Sequence, residues 1–312
     1  MKSSWSRLDL LVAGVFALAG LLTFAGSAHA AGKIRAVTTI TDLAEFTRAV
    51  GGDLVEVNSL ATGVEDPHGI PLKPSYIPLL NRADVVVTVG LGLEHAFLPA
   101  LLDASRNPKI LPGKPGYIDC SRNVEVLEVP RSLDKAEGDV HPVGNPHINL
   151  DPVRAKTMIQ NIYDGLTENF PEHEAEFAKN RDAYLAKLDA KIVEWQALAQ
   201  PLQGTKFISY HLEWPYFADR FGLIPFGTIE LRPGIDPTAK HIQELIQGMQ
   251  ANHVKVVIRE PQFPEKVPSQ VAARTGATLI KLPIMVGGVP EAKTYMDMID
   301  YDLRMFLKAA QR

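Results

Sequence analysis

Residues 83–89 read Ala-Asp-Val-Val-Val-Thr-Val, a strand-length run with almost no polar face. A strand of that kind belongs inside a parallel sheet covered by helices on both sides. The residues around it fit. Those at 34–38 read as a strand, 43–50 as a helix closed by Gly51-Gly52 and 55–59 as a second strand, together a β-α-β unit. Helices are expected at 74–81 and 98–104, and the proline- and glycine-rich residues 107–139 hold one or two short strands before a solvated loop at 133–144.

Two helices follow, at 152–169 and 171–199. Asp151-Pro152 starts the first as N-cap and N1. Along the second, Phe177, Tyr184, Leu188, Ile192 and Trp195 recur at multiples of three and four, giving one apolar stripe on a rod of roughly 40 Å. The first half's pattern then returns. Strands at 207–209, 223–229, 254–258 and 278–282 alternate with helices at 214–221, 237–251 and 268–275, and a helix at 295–310 closes the chain. The expected fold class is α/β: two lobes, each with a central, mostly parallel sheet flanked by helices, joined by one long rigid helix. The lobes are expected at 31–170 and 201–312, with the linking helix at 171–200.

Residues 1–30 stand apart from this pattern and read as a cleaved export signal. Lys2 and Arg7 give a basic start, 10–24 is an almost unbroken apolar run, and Ala28-His29-Ala30 has the form of a cleavage site. The run is shorter than the ~20 apolar residues of a spanning helix. Cys120 is the only cysteine, so neither a disulfide nor an N-terminal lipid is expected. These features point to a protein free in the periplasm, and a net charge of −4 without a basic patch argues against nucleic acid.

In open α/β sheets, ligands collect at the carboxyl ends of the strands. His68, in the proline-stiffened stretch Glu65-Asp66-Pro67-His68-Gly69-Ile70-Pro71-Leu72-Lys73-Pro74, follows the second strand. His211 follows the first strand of the second lobe, and Glu260 a later one. His147 lies on another proline-bearing turn, just ahead of a helix. Of the other histidines, His29 falls in the signal, while His95, His173, His241 and His253 sit on or beside helices in polar contexts. His141 lies in the acidic loop, where it could assist capture. Three imidazoles converging with a carboxylate make a first-row metal site.

The sequence resembles the metal-binding receptors of bacterial zinc and manganese ABC transporters. The resemblance covers residues 33–310. It is carried by Glu65-Asp66-Pro67-His68 with Lys73-Pro74-Ser75 and Ala83-Asp84, by Gly90-Leu91-Gly92-Leu93-Glu94, by Asn145-Pro146-His147 with Leu150-Asp151-Pro152, and by His211 with Tyr216-Phe217 and Phe221-Gly222-Leu223. It implies a monomeric periplasmic solute-binding protein, not an enzyme, that hands a transition metal to a membrane permease. His68, His147 and His211 fall at the three histidine ligand positions. The third is commonly glutamate in manganese members, so His211 favours Zn²⁺, with Mn²⁺ or Fe²⁺ as the alternative.

The chain departs from the family at the fourth ligand. An aspartate usually stands at the end of the last strand, where this chain has Ile280-Lys281-Leu282-Pro283-Ile284-Met285. Glu260 is the expected replacement, with Glu230 or a water molecule as alternatives, and Glu65 and Asp66 are expected to support or cap instead of ligate. Three histidines with an open position also suit a metallohydrolase, but no H-E-x-x-H occurs and Glu213 is the only evident general base. A periplasmic zinc chaperone or an adhesin would need the same site.

Overall fold

The computed structural model describes residues 32–129, 143–231 and 235–311. The expected signal segment, 1–30, and His141 with most of its loop lie outside the described residues.

The apolar runs become two parallel sheets. In the first, β1 (Ile34–Thr38), β2 (Val55–Ser59), β3 (Val85–Thr88) and β4 (Tyr117–Asp119) lie in the order β2-β1-β3-β4. In the second, β5 (Lys206–Ser209), β6 (Ile224–Thr228), β7 (Val256–Arg259) and β8 (Thr278–Lys281) repeat that order as β6-β5-β7-β8. Every residue of β3 is buried, as its composition requires. Between the strands run α1 (Thr41–Gly51), α2 (Tyr76–Arg82), α3 (Leu98–Ser105), α4 (Pro152–Asn169), α5 (Glu174–Ala199), α6 (Pro215–Phe221), α7 (Ala239–Ala251), α8 (Lys266–Thr275) and, last, α9 (Tyr295–Ala310). One strand, β4, forms in the described part of 107–139.

Side chains of the second sheet alternate between two cores. Phe207, Val256 and Ile258 join the main core, whereas Ile208 and Val257 point to a smaller cluster with Leu245, Met249 and Val271. The main core does not stop at the lobe boundary: Val37 and Phe46 belong to the same cluster as Trp195, Phe207 and Phe306.

The long helix α5 packs against α1, α4 and α9. Phe177, Leu188, Ile192 and Trp195 are buried on one stripe, and the half-buried Tyr184 donates to Glu45 Oε1 at 2.7 Å. The helix begins three residues later than its pattern suggests. Pro171–His173 form a tighter 3₁₀ turn, with His173 N bonded to Phe170 O.

A second tie joins the lobes beside α5. After β8 the chain returns to the first lobe, where Val286 N donates to Asp42 Oδ1 (2.9 Å), Thr41 Oγ1 to Val286 O (2.7 Å) and Asn149 Nδ2 to Ile284 O (2.9 Å). Tyr295, at the start of α9, donates from N to Glu45 Oε2 (2.6 Å) and from Oη to Asn149 O (2.7 Å). The returning backbone also passes close to the loop that follows β2. Gly63 there has φ +101°, and a Cβ would collide with the Val286 carbonyl, so only glycine fits.

Candidate metal centre

Three loops converge where the two lobes meet. Beyond β2 the chain stays extended for two residues, with Leu60 N bonded to Thr38 O and Ala61 N to Thr39 O, before it turns. Two local carboxylates shape that turn. Glu65 Oε2 accepts from Thr62 N and Thr62 Oγ1, both at 2.7 Å, and Asp66 Oδ1 accepts from His68 N at 2.9 Å. Glu65 and Asp66 therefore brace the loop, and His68 is left partly exposed.

His147 ends a turn set by Asn145, whose Oδ1 accepts from His147 N at 3.0 Å. The side chain is 2% exposed. Ile148–Leu150 then make a 3₁₀ turn, and Asp151 caps α4 by accepting from Val153 N at 2.8 Å. His211 lies just past β5 and is 4% exposed; Ser209 Oγ donates to its carbonyl at 2.6 Å. Its Nδ1 stands 3.3 Å from Glu230 Oε2, a contact that fixes the ring and leaves Nε2 for another partner.

Among the described residues, one group of three or more histidine, cysteine, aspartate or glutamate side chains has ligand atoms mutually within 4.8 Å: His68, His147 and His211. Their rings stand nearly perpendicular to one another, at centroid distances of 5.0, 5.2 and 5.8 Å. His68 Nε2 and His147 Nε2 are 3.1 Å apart, and His211 Nε2 is buried without a hydrogen-bond partner. Two nitrogens on a tetrahedral zinc, each at about 2.0–2.1 Å, are about 3.3 Å apart. The donor set and its spacing fit a small first-row cation, and the orphaned His211 nitrogen gives that fit a chemical reason.

The structure does not bring Glu260 into this group. It is fully buried, and its Oε1 accepts from Trp214 Nε1 at 2.7 Å. Its carboxyl is turned to Glu213, which in turn accepts from Gln262 Nε2 at 2.9 Å. Burial pushes the carboxyls of both glutamates up, and their mutual proximity adds to the effect on Glu213. Position at a strand end had suggested Glu260, but a strand end fixes the backbone and not the direction of the side chain. Glu230, the alternative, meets His211 at the ring nitrogen opposite Nε2. His95 and His253 are exposed, and His241 bonds Thr228 O instead of joining the cluster.

Asn145 and Tyr216 act in ways that spacing alone did not reveal. The Asn145 carboxamide touches backbone on both sides of the cleft, and Tyr216 Oη donates to Asn145 O at 2.6 Å. The one available signal was an asparagine two residues before a histidine, a common self-bonding turn.

A family model described as the periplasmic component A of a zinc-uptake complex, ZnuA, matches residues 36–309. The ZnuA of a high-affinity zinc uptake system in Haemophilus ducreyi is 27% identical over 270 residues, covering 83% of this chain and 87% of that protein. The zinc-binding lipoprotein AdcA of Streptococcus pneumoniae is 27% identical over 275 residues, and the chain spans about half (53%) of its length. A crystal structure of ZnuA superposes with a TM-score of 0.76 at 28% identity, covering 89% of this chain and 99% of that one. A ZnuA deletion mutant solved with zinc bound gives 0.75 at 29% identity, covering 89% and 98%.

Proposed function

Because the chain belongs to the family of periplasmic zinc-uptake component A proteins, we propose that it is a periplasmic receptor that captures Zn²⁺ between its lobes and delivers it to an ABC permease. Residues 1–30 direct export and are removed, and the mature protein works as a monomer and not as an enzyme. His68, His147 and His211 are the protein ligands, and a water molecule completes a tetrahedron. The observation that carries this reading is the convergence of three imidazoles, one of them with a buried nitrogen that has no other partner. Glu230 holds His211 in register and offsets the charge of the ion.

Capture needs neutral imidazoles, so binding releases protons and weakens in acid. Delivery needs an exposed face. Val64 and Leu72 on the His68 loop, Leu212 next to His211 and Leu231 next to Glu230 are large apolar side chains exposed on the loops that bear the site, which supports a permease-docking role for that face. The test is chelator competition on alanine variants of His68, His147 and His211, with Glu260→Gln as the contrast. Each histidine variant is expected to lose at least about tenfold in zinc affinity, since it removes a ligand, whereas Glu260→Gln retains the parent's affinity. Unchanged affinity in the histidine variants would falsify the assignment.

A further inference from the structure

We propose that Asn145 is a positioning residue that fixes the separation of His147 from His211 across the cleft, and so sets the geometry of the cation site. The proposal rests on the reading of those two histidines as ligands.

Asn145 is 3% exposed, and one planar amide spans the two lobes. Its Oδ1 accepts from the backbone N of His147 at 3.0 Å. Its Nδ2 donates to the carbonyl of Leu212, the peptide neighbour of His211, at 2.9 Å, and to Glu128 Oε2 at 3.0 Å. Both donors and the acceptor are thus used, with no hydrogen-bonding freedom left to rotate. The amide's oxygen and nitrogen are at a fixed distance, so the His147 and Leu212 backbones cannot separate without breaking a bond.

The asparagine is itself anchored. Its N donates to Leu127 O at 3.0 Å, and its O accepts from Tyr216 Oη at 2.6 Å; Tyr216 Oη in turn accepts from Leu127 N at 3.1 Å. Glu128 presents its carboxylate from a left-handed backbone, φ +55°, which a non-glycine residue adopts only where its surroundings enforce it. A local turn would need only the Oδ1 contact. The two Nδ2 contacts, one of them to the opposite lobe, have no role in that turn.

A strut of fixed length sets the separation of donors that any first-row cation in the cleft must meet. Asn145→Asp separates the two functions of the side chain. It keeps an acceptor for His147 N and loses both donors.

The experiment measures zinc and manganese affinity by chelator competition, the visible absorption of the Co²⁺-substituted protein, and metal-free thermal unfolding. Asn145→Asp is expected to bind zinc and manganese more weakly, zinc by about ten- to hundredfold, with a displaced Co²⁺ spectrum, as for other groups that orient metal ligands. The parent's affinities and spectrum in this variant would overturn the proposal, as would a lowered unfolding temperature with both metal readouts unchanged. Should Asn145→Asp not fold, Tyr216→Phe decides: removal of the hydroxyl that anchors Asn145 is expected to shift the Co²⁺ spectrum in the same direction, and the parent's spectrum would overturn the proposal. His211→Ala separates this outcome from failure of the functional reading, because retention of the Co²⁺ spectrum there would remove His211 as a ligand.

Discussion

The most consequential carboxylates away from the histidine cluster are those buried without a cation. Glu94 is 5% exposed and accepts from Thr39 Oγ1 (2.8 Å), Val89 N (2.7 Å) and Gly90 N (3.2 Å). Burial outweighs these donors and raises its pKa to about 7. Asp42, also enclosed, is raised to about 7 for the same reason. A carboxyl whose folded-state pKa is raised stabilises the fold most below its unfolded value, and that contribution fades as pH rises through the folded value. Glu94 alone should therefore cost the metal-free protein on the order of 3 kcal/mol between pH 4.5 and about 7. Urea unfolding of Glu94→Gln should show a flatter decline over that window than the parent, with Asp42's share remaining; identical slopes would refute the assignment. At this scale the sequence was partly legible. His68, His147 and His211 could be singled out because each sits at a strand-to-helix junction. Glu260 shared that position, but its neighbour Trp214, 46 residues away, turns its carboxyl aside, and a contact so distant in sequence leaves no periodic trace.

Among the elements, the start of α4 carries the most. Asp151 was recognisable as its N-cap because Pro152 follows, and it does accept from Val153 N. Its second role was not recognisable. Arg220 of α6 forks onto both its oxygens at 2.7 and 2.9 Å, and Arg154 reaches Oδ2 at 2.6 Å, so one buried carboxylate pins α4 to α6. Asp151→Ala would leave the nearly buried Arg154 without its closest partner and the helix without its cap, with an expected loss of about 3–5 kcal/mol. Asp151→Asn, which retains an acceptor for Val153 N, should cost less. Urea midpoints of the two variants check the order, and equal losses would mean that the ion pairs and not the cap dominate. Most other elements lie within a few residues of their sequence-based bounds. Strands buried on both faces and helices closed by Gly222 or Gly276 are set by local chemistry, whereas the 3₁₀ turn at Pro171–His173 depends on how α4 hands over to α5.

For the whole molecule, two parallel sheets and the long α5 were foreseeable from alternating strand and helix patterns, whereas the strand order within each sheet was not. The return of residues 284–295 to the first lobe was not, because that stretch has no period and its partners, Asp42 and Asn149, are more than a hundred positions away. With α5, this second tie and a core that runs through both lobes, the lobes are expected to tilt slightly or reorder loops on binding, without opening as a wide hinge. Scattering curves of metal-free and zinc-loaded protein should give nearly equal radii of gyration, and a large difference would contradict this picture. The same tie limits how the gene can recombine. A crossover within α5 between two relatives would pair one parent's Thr41, Asp42, Glu45 and Asn149 with the other's returning segment and Tyr295. Lineages can exchange whole receptors more readily than single lobes, and chimeras that inherit 41–45, 149 and 284–295 from one parent should be the ones that fold.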